Sequence, residues 1–507
     1  MHRARYRRVR GVTYPRHVGD HPATDLDRLA RDLGVLVRRL LQSVPEGAGD
    51  DVQAGALLRE HLGEGAATMP LVADTFSRWD QANLQLALDA AMARGGWSAE
   101  TFGLSGQARH FGALGLGDMM RADHFSVGPV EHATVDVGPG RTLACIDFAV
   151  MLIRSPAGPL AAFVHRGDDH FGRGSDVELQ VVARDRADAE RLIADLRTLI
   201  AEHDVYRGQL ITLESGPDGT RLAFLERPDV DPGDVVLPDG ALARIERHLA
   251  GPSVHREKLL AMGRHMSRGL LLWGPPGTGK TLTVRYLSGR LTDCTVIVLS
   301  GATLDAVGAF GTIARRLAPS VVILEDVDLV AEERTFDGGG GEVLFELMNE
   351  MSGHADDADI AFVLTTNRPE ALEPALAARP GRVDLAVEIP LPDAAARERL
   401  LEIYGRGLDL RLADRAAVVE RTEGVTASFV KELLRKATLR ALDDGRETVD
   451  DADVGAALDE LLSDTAALTR VMLGAAGDRA GAATDWLARF TGTDDDDGGL
   501  DEVVVRL

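Results

Sequence analysis

GPPGTGKT, residues 274–281, follows the apolar run Leu270, Leu271, Leu272 and Trp273 and leads into TLTVRYLSGR, residues 281–290. The run reads as a buried strand and the continuation as a helix. The glycine-rich turn between them is therefore the strand, loop and helix setting in which G-x-x-x-x-G-K-[ST] cradles a phosphate. Gly274, Gly277 and Gly279 lack a Cβ, so the backbone can curl and aim successive N–H groups inward, and the helix N-terminus adds partial positive charge. Lys280 is expected to reach the β- and γ-phosphates and the Thr281 hydroxyl to ligate Mg²⁺. Pro275, Pro276, Thr278 and Leu282 complete the expected nucleotide-binding stretch.

Strands alternate with helices from here to about Pro392, the signature of an α/β unit with a parallel sheet and helices on both faces. VVILEDVD, residues 321–328, is a buried strand that ends in Glu325 and Asp326, one strand and helix downstream of the phosphate turn. Such a pair serves phosphoryl chemistry when one carboxylate holds the Mg²⁺ shell and the other polarises the attacking water. A third apolar strand ends at Asn367, which can hydrogen-bond the γ-phosphate or the water; Arg379 and Arg382 follow in a loop.

Together these motifs resemble the AAA branch of the AAA+ ATPases. GPPGTGKT matches Walker A, ILED matches Walker B, TTNRP matches sensor 1, and ALAARPGRVD matches the second region of homology with its two arginine fingers. The match covers roughly residues 240–460 and leaves out about the first 230. The resemblance implies a P-loop sheet with a helical lid, ATP and Mg²⁺ as cofactors, and a homo-oligomeric ring, expected to be a hexamer. In that ring Arg379 and Arg382 would reach ATP on a neighbouring subunit.

The chain departs from the family pattern in three places. Its Walker B pair is Glu-Asp where most relatives have Asp-Glu, an order similar to that of the mitochondrial Rieske-protein translocase subgroup. Glu325 would take the metal role and Asp326 the base role, and the choice of base stays open. Ala427, Ser428 and Phe429 stand where relatives carry Gly-Ala-Asp in the lid. Ala306, Val307 and Gly308 occupy the pore-loop register without an aromatic, and Phe310 lies out of register. Threading by stacked aromatic side chains is thereby put in question.

Farther out, residues 1–20 form a basic arm and 21–125 read as helical, with apolar stripes from Leu26 to Leu41, over 51–62 and over 76–92. Short apolar or alternating runs around a long helix at 188–203 make 126–228 an α+β unit. Its loop holding His165, Asp168, Asp169 and His170 lacks metal-ligand spacing. A Pro/Gly/Asp-rich linker (229–244), the nucleotide-binding unit (245–392), a helical lid (393–462), and a C-terminal helix with an acidic tail (463–507) complete the organisation.

The length of 507 residues suggests about three or four units. A net charge of -24 argues against broad nucleic-acid affinity. No apolar run approaches the roughly 20 residues of a membrane span, and the start lacks a secretory h-region. Two distant cysteines, Cys145 and Cys294, fit a reducing compartment, so a cytoplasmic location is expected. The leading expectation is an ATP hydrolase that remodels a protein client. The rivals are an ATP-controlled switch or scaffold that threads nothing, and a nucleic-acid motor using the basic arm.

Overall fold

A computed structural model describes residues 52–105, 115–121, 125–166, 176–216, 219–301, 303, 307–328, 358–370 and 383–463. The basic arm, the Leu26–Leu41 stripe, Asp168 to His170, Ala306, Arg379, Arg382 and everything after residue 463 lie outside them.

The N-terminal unit is a mixed layer structure. Its elements are α1 (Ala54–Leu62), β1 (Leu71–Phe76), α2 (Gln81–Met92), β2 (Ser98–Leu104), α3 (Leu116–Arg121), β3 (Val127–Gly128), β4 (Glu131–Gly138), β5 (Arg141–Ser155), β6 (Gly158–Arg166), β7 (Val177–Ala183) and α4 (Arg186–Glu202). The strands form one antiparallel sheet in the order β1-β7-β6-β5-β2-β3, with β4 also on β5. Side chains alternate between two cores. Ala149, Met151 and Ile153 of β5 join Leu84 and Leu88 of α2 and Leu192 and Leu196 of α4. Val150 and Leu152, with Phe163 of β6, join Leu58 of α1 and Met119 of α3 on the opposite face. Coverage on both faces is why β5 and β6 read as continuous apolar runs.

This arrangement differs from the sequence expectation. Residues 21–125 were expected to be helical, yet β1 and β2 lie among them and pair with β7 and β5. At the sheet edge β1 buries only Phe76 fully, so its alternation is faint in sequence.

The nucleotide-binding sheet contains β8 (Leu210–Gly216), β9 (Gly219–Leu225), β10 (Arg268–Trp273), β11 (Thr295–Ser300), β12 (Ser320–Glu325), β13 (Ile360–Thr366) and β14 (Leu385–Glu388). Their order is β14-β10-β13-β12-β11-β8-β9, parallel except for the β8–β9 hairpin. Helices α5 (Ala241–Val254), α6 (Arg256–Ala261), α7 (Lys280–Arg290) and α8 (Val307–Arg316) accompany it. Ile245, Leu249, Val284 and Leu287 pack on one face, and Phe310, Ile313 and Leu317 on the other.

The hairpin is a second departure. Residues 209–226 were expected to belong to the α+β unit, but β8 pairs in parallel with β11, Leu210 opposite Val296. Leu210 enters one core of the nucleotide-binding sheet, and Ile211, Leu213 and Leu222 enter the other. The two units meet where Trp79 packs on Phe310, ring centres 5.6 Å apart, and where the Tyr206 hydroxyl donates to the Trp79 carbonyl at 3.0 Å.

The lid comprises α9 (Ala394–Tyr404), β15 (Asp409–Arg411), α10 (Arg415–Arg421), α11 (Ala427–Asp443), β16 (Thr448–Asp450) and α12 (Asp451–Leu462) around Leu400, Phe429, Leu433 and Leu458. Side-chain caps start its helices: Asp393, Asp414 and Thr426 each accept a backbone N–H, and Asp450 and Asp453 form a capping box. The expected linker is strapped down, with Val235 in the core that holds Ile245 and Val284 and Val236 against the lid core. Arg399 of α9 donates to the Gly233 carbonyl at 2.8 Å, and Arg406 pairs with Asp234.

Candidate functional site

The phosphate turn lies between β10 and α7, at the carboxyl end of the sheet. Gly274 has φ 152°, and a Cβ there would stand 2.2 Å from the Ile389 carbonyl oxygen, so only glycine lets the turn leave β10. Thr278 Oγ1 donates to the Pro275 carbonyl at 2.9 Å and closes the loop. Lys280, at the first position of α7, is buried, and its ammonium donates to the Gly274 and Pro275 carbonyls at 2.7 and 2.8 Å. Burial lowers its pKa, opposed by the nearby charges of Asp326 and Asp328. An ammonium has three N–H donors, so a cation is held at the mouth of the turn with donor capacity left for an anion.

Glu325 closes β12 and faces α7. Thr281 donates a hydrogen bond to its carboxylate, while Oε1 is buried without a partner. Burial first, and the Asp326 charge second, raise the pKa of Glu325; the Thr281 bond opposes them. A hydroxyl beside a carboxylate oxygen that lacks a protein partner is the hard, oxygen-only donor set that suits Mg²⁺. The residues therefore fit the ion that the motifs imply.

Asp326 adopts φ 51°, the left-handed region that a non-glycine residue rarely enters. Its N–H donates to Thr365 Oγ1 at 2.9 Å. Asn367, just past β13, places its amide nitrogen 3.4 Å from Asp326 Oδ1. The Gly274 N–H reaches the Thr366 carbonyl at 3.3 Å, tying the turn to β13. Lys280, Thr281, Glu325, Asp326 and Asn367 are thus brought to one end of three neighbouring strands. Arg379 and Arg382 lie outside the described residues.

The lid also reaches the turn. The Ser428 N–H donates to the Gly277 carbonyl at 3.1 Å, and a Cβ on Gly277 would stand 3.0 Å from Ser428 Oγ. Phe429, by contrast, is buried in the lid core. Phe310 is fully buried against Trp79 and offers nothing to a passing chain. His165 stacks on Phe163 at 4.5 Å and faces Glu178, and no cluster of three metal-ligating side chains occurs among the described residues. Among them, too, no helix is long and apolar enough to cross a membrane.

Sequence reasoning missed Thr365 and, although it named Ser428 as a departure in the lid, missed that residue's contact with the turn. Thr365 lies inside the quoted sensor stretch, but a threonine in an apolar strand carries no signal until its partner strand is known.

The family model described as "ATPase family associated with various cellular activities (AAA)" matches residues 270–391. A proteasome-activating nucleotidase of Thermococcus onnurineus (strain NA1) is 29% identical over 287 residues, 54% of this chain and 72% of its own length. That of Pyrococcus abyssi (strain GE5 / Orsay) is 31% identical over 266 residues, 49% of this chain and 67% of its own. The 26S proteasome regulatory subunit 8 homolog of Saccharomyces cerevisiae is 33% identical over 227 residues, 42% of this chain and 56% of its own. The family match runs from the third residue of β10 to just past β14 and so takes in the turn and all three strand ends.

Proposed function

The chain belongs to the AAA family of ATPases, and from that premise we propose that it hydrolyses ATP with Mg²⁺ in a ring of its own copies and so remodels a protein client. Supporting this most directly is the partnerless Glu325 Oε1 beside Thr281, one residue from the Asp326 and Asn367 pair. The backbone N–H groups of residues 277–282 would hold the phosphates and Lys280 the β- and γ-oxygens. Thr281 and, through water, Glu325 would hold Mg²⁺, which when bound neutralises phosphate charge. Asp326 would accept the proton of the attacking water, and the Asn367 amide would orient that water.

Arg379 and Arg382 would complete the site of a neighbouring subunit, a contribution of about 10³- to 10⁵-fold in the measured arginine-finger systems. A hexamer is the expected ring, and a proteasome, the word the relatives' names carry, is a partner worth testing. Mixing Lys280→Ala subunits with Arg379→Ala subunits tests the shared site. Partial recovery of hydrolysis supports it, and no recovery at any ratio counts against it.

The burial of Phe310 favours a second reading, in which ATP governs assembly and nothing is threaded. A slow basal rate that no unfolded protein stimulates would favour that switch.

A further inference from the structure

The ends of β12 and β13 are laced together in both directions. Thr365 Oγ1 accepts the Asp326 N–H at 2.9 Å, while Asp328 Oδ1 accepts the Thr366 hydroxyl at 2.9 Å and the Asn367 N–H at 3.2 Å. Thr366 Oγ1 accepts in turn from the Arg368 N–H at 2.9 Å. Asp328 is only 5% exposed, and both bonds are made by one carboxylate oxygen. No step of the reaction described above uses it.

This lacing bears on the weakest geometry in the site. The Asn367 amide stands 3.4 Å from Asp326 Oδ1, at the long limit of a hydrogen bond, and Asp326 sits in a strained backbone region at φ 51°. Such a residue keeps its place only where its surroundings over-determine it. Thr365 fixes the Asp326 backbone from β13, and Asp328, three residues past β12, fixes the Asn367 backbone.

We propose that Asp328 is a positioning residue for ATP hydrolysis: by gripping the Thr366 hydroxyl and the Asn367 N–H, it sets the Asn367 amide against Asp326. The proposal rests on the hydrolytic reading above and deepens it. Asp328 acts through Asn367 and touches no reacting atom. A displacement of about 1 Å at such a site costs on the order of 10²-fold in rate.

Two variants separate hydrogen bonding from charge. Asp328→Ala removes the acceptor, whereas Asp328→Asn keeps an acceptor oxygen and removes the charge. In Asp328→Ala, kcat should fall by about 10²-fold while the Kd for a fluorescent ATP analogue stays within about twofold. Asp328→Asn should recover most of that loss. Hydrogen exchange of the Asn367 amide, measured without nucleotide, should quicken in Asp328→Ala and not in Asp328→Asn.

An unchanged kcat in Asp328→Ala, or an equal loss of kcat in both variants, overturns the proposal. Unchanged exchange at Asn367 overturns it whether or not the parent protein turns over ATP. A parent without hydrolysis and with quickened exchange in Asp328→Ala defeats the hydrolytic reading, and with it the catalytic purpose of the clamp.

Discussion

Arg316 Nη1 lies 2.8 Å from Asp80 Oδ2, an ion pair between residues 236 apart in the chain. The guanidinium also reaches Asp204 at 3.0 Å, and the Asn83 amide bridges both carboxylates at 3.1 Å. Burial raises the pKa of Asp204 even though Arg316 pulls it down. Arg316 ends α8, so this network joins the N-terminal unit to a helix of the nucleotide-binding sheet. Arg316→Ala would leave two buried carboxylates facing each other and should destabilise the chain by about 3 kcal/mol. Urea unfolding followed at the Trp79 environment reads this, and a midpoint equal to the parent's would contradict it.

The two strand-end acids should separate by phenotype. Asp326→Asn is expected to keep ATP binding and to lose about 10²- to 10⁴-fold in kcat. Glu325→Gln is expected to raise the Mg²⁺ concentration needed for half-maximal rate. The reverse pair of phenotypes would move the base to Glu325.

Burial pushes both thiols up to about 11. At pH 8 the folded chain should therefore hold far less thiolate than an unfolded one, and Cys145 and Cys294 should react with Ellman's reagent only on unfolding. The same shift sets a sign for stability. A thiol whose folded pKa is raised favours the folded state below its ordinary value near 9, and this contribution is lost as pH rises from 9 to about 11. Rapid labelling of the native protein at pH 8 would refute the burial.

Gly274→Ala tests the turn itself. Its Cβ would meet the Ile389 oxygen at 2.2 Å, so β14 or the turn must shift. ATP affinity should fall at least tenfold with a lower thermal midpoint, checked by fluorescent-nucleotide titration and a melting curve.

Much of the site was legible because its residues sit within single motifs. GPPGTGKT, Glu325, Asp326 and Asn367 each follow an apolar run whose length and burial on both faces announce a central strand. The bonds between strands were not legible. Thr365 to Asp326 and Ser428 to Gly277 depend on register and on lid docking, which no local pattern encodes. At the sheet edge β1 buries only Phe76 fully, and β8 finds its partner 86 residues on, Leu210 opposite Val296. β1 was therefore read into a helical region, and β8 into the α+β unit.

The β8–β9 hairpin has a practical corollary for anyone dividing this protein into pieces. A fragment begun at the Pro/Gly/Asp-rich segment after residue 228 would strip two strands from the ATPase and leave the flank of β11 with open amide and carbonyl groups, an invitation to stick to other chains. A fragment that keeps the whole ATPase sheet begins before Leu210. The N-terminal unit is thus fastened to the ATPase sheet itself rather than held on a tether.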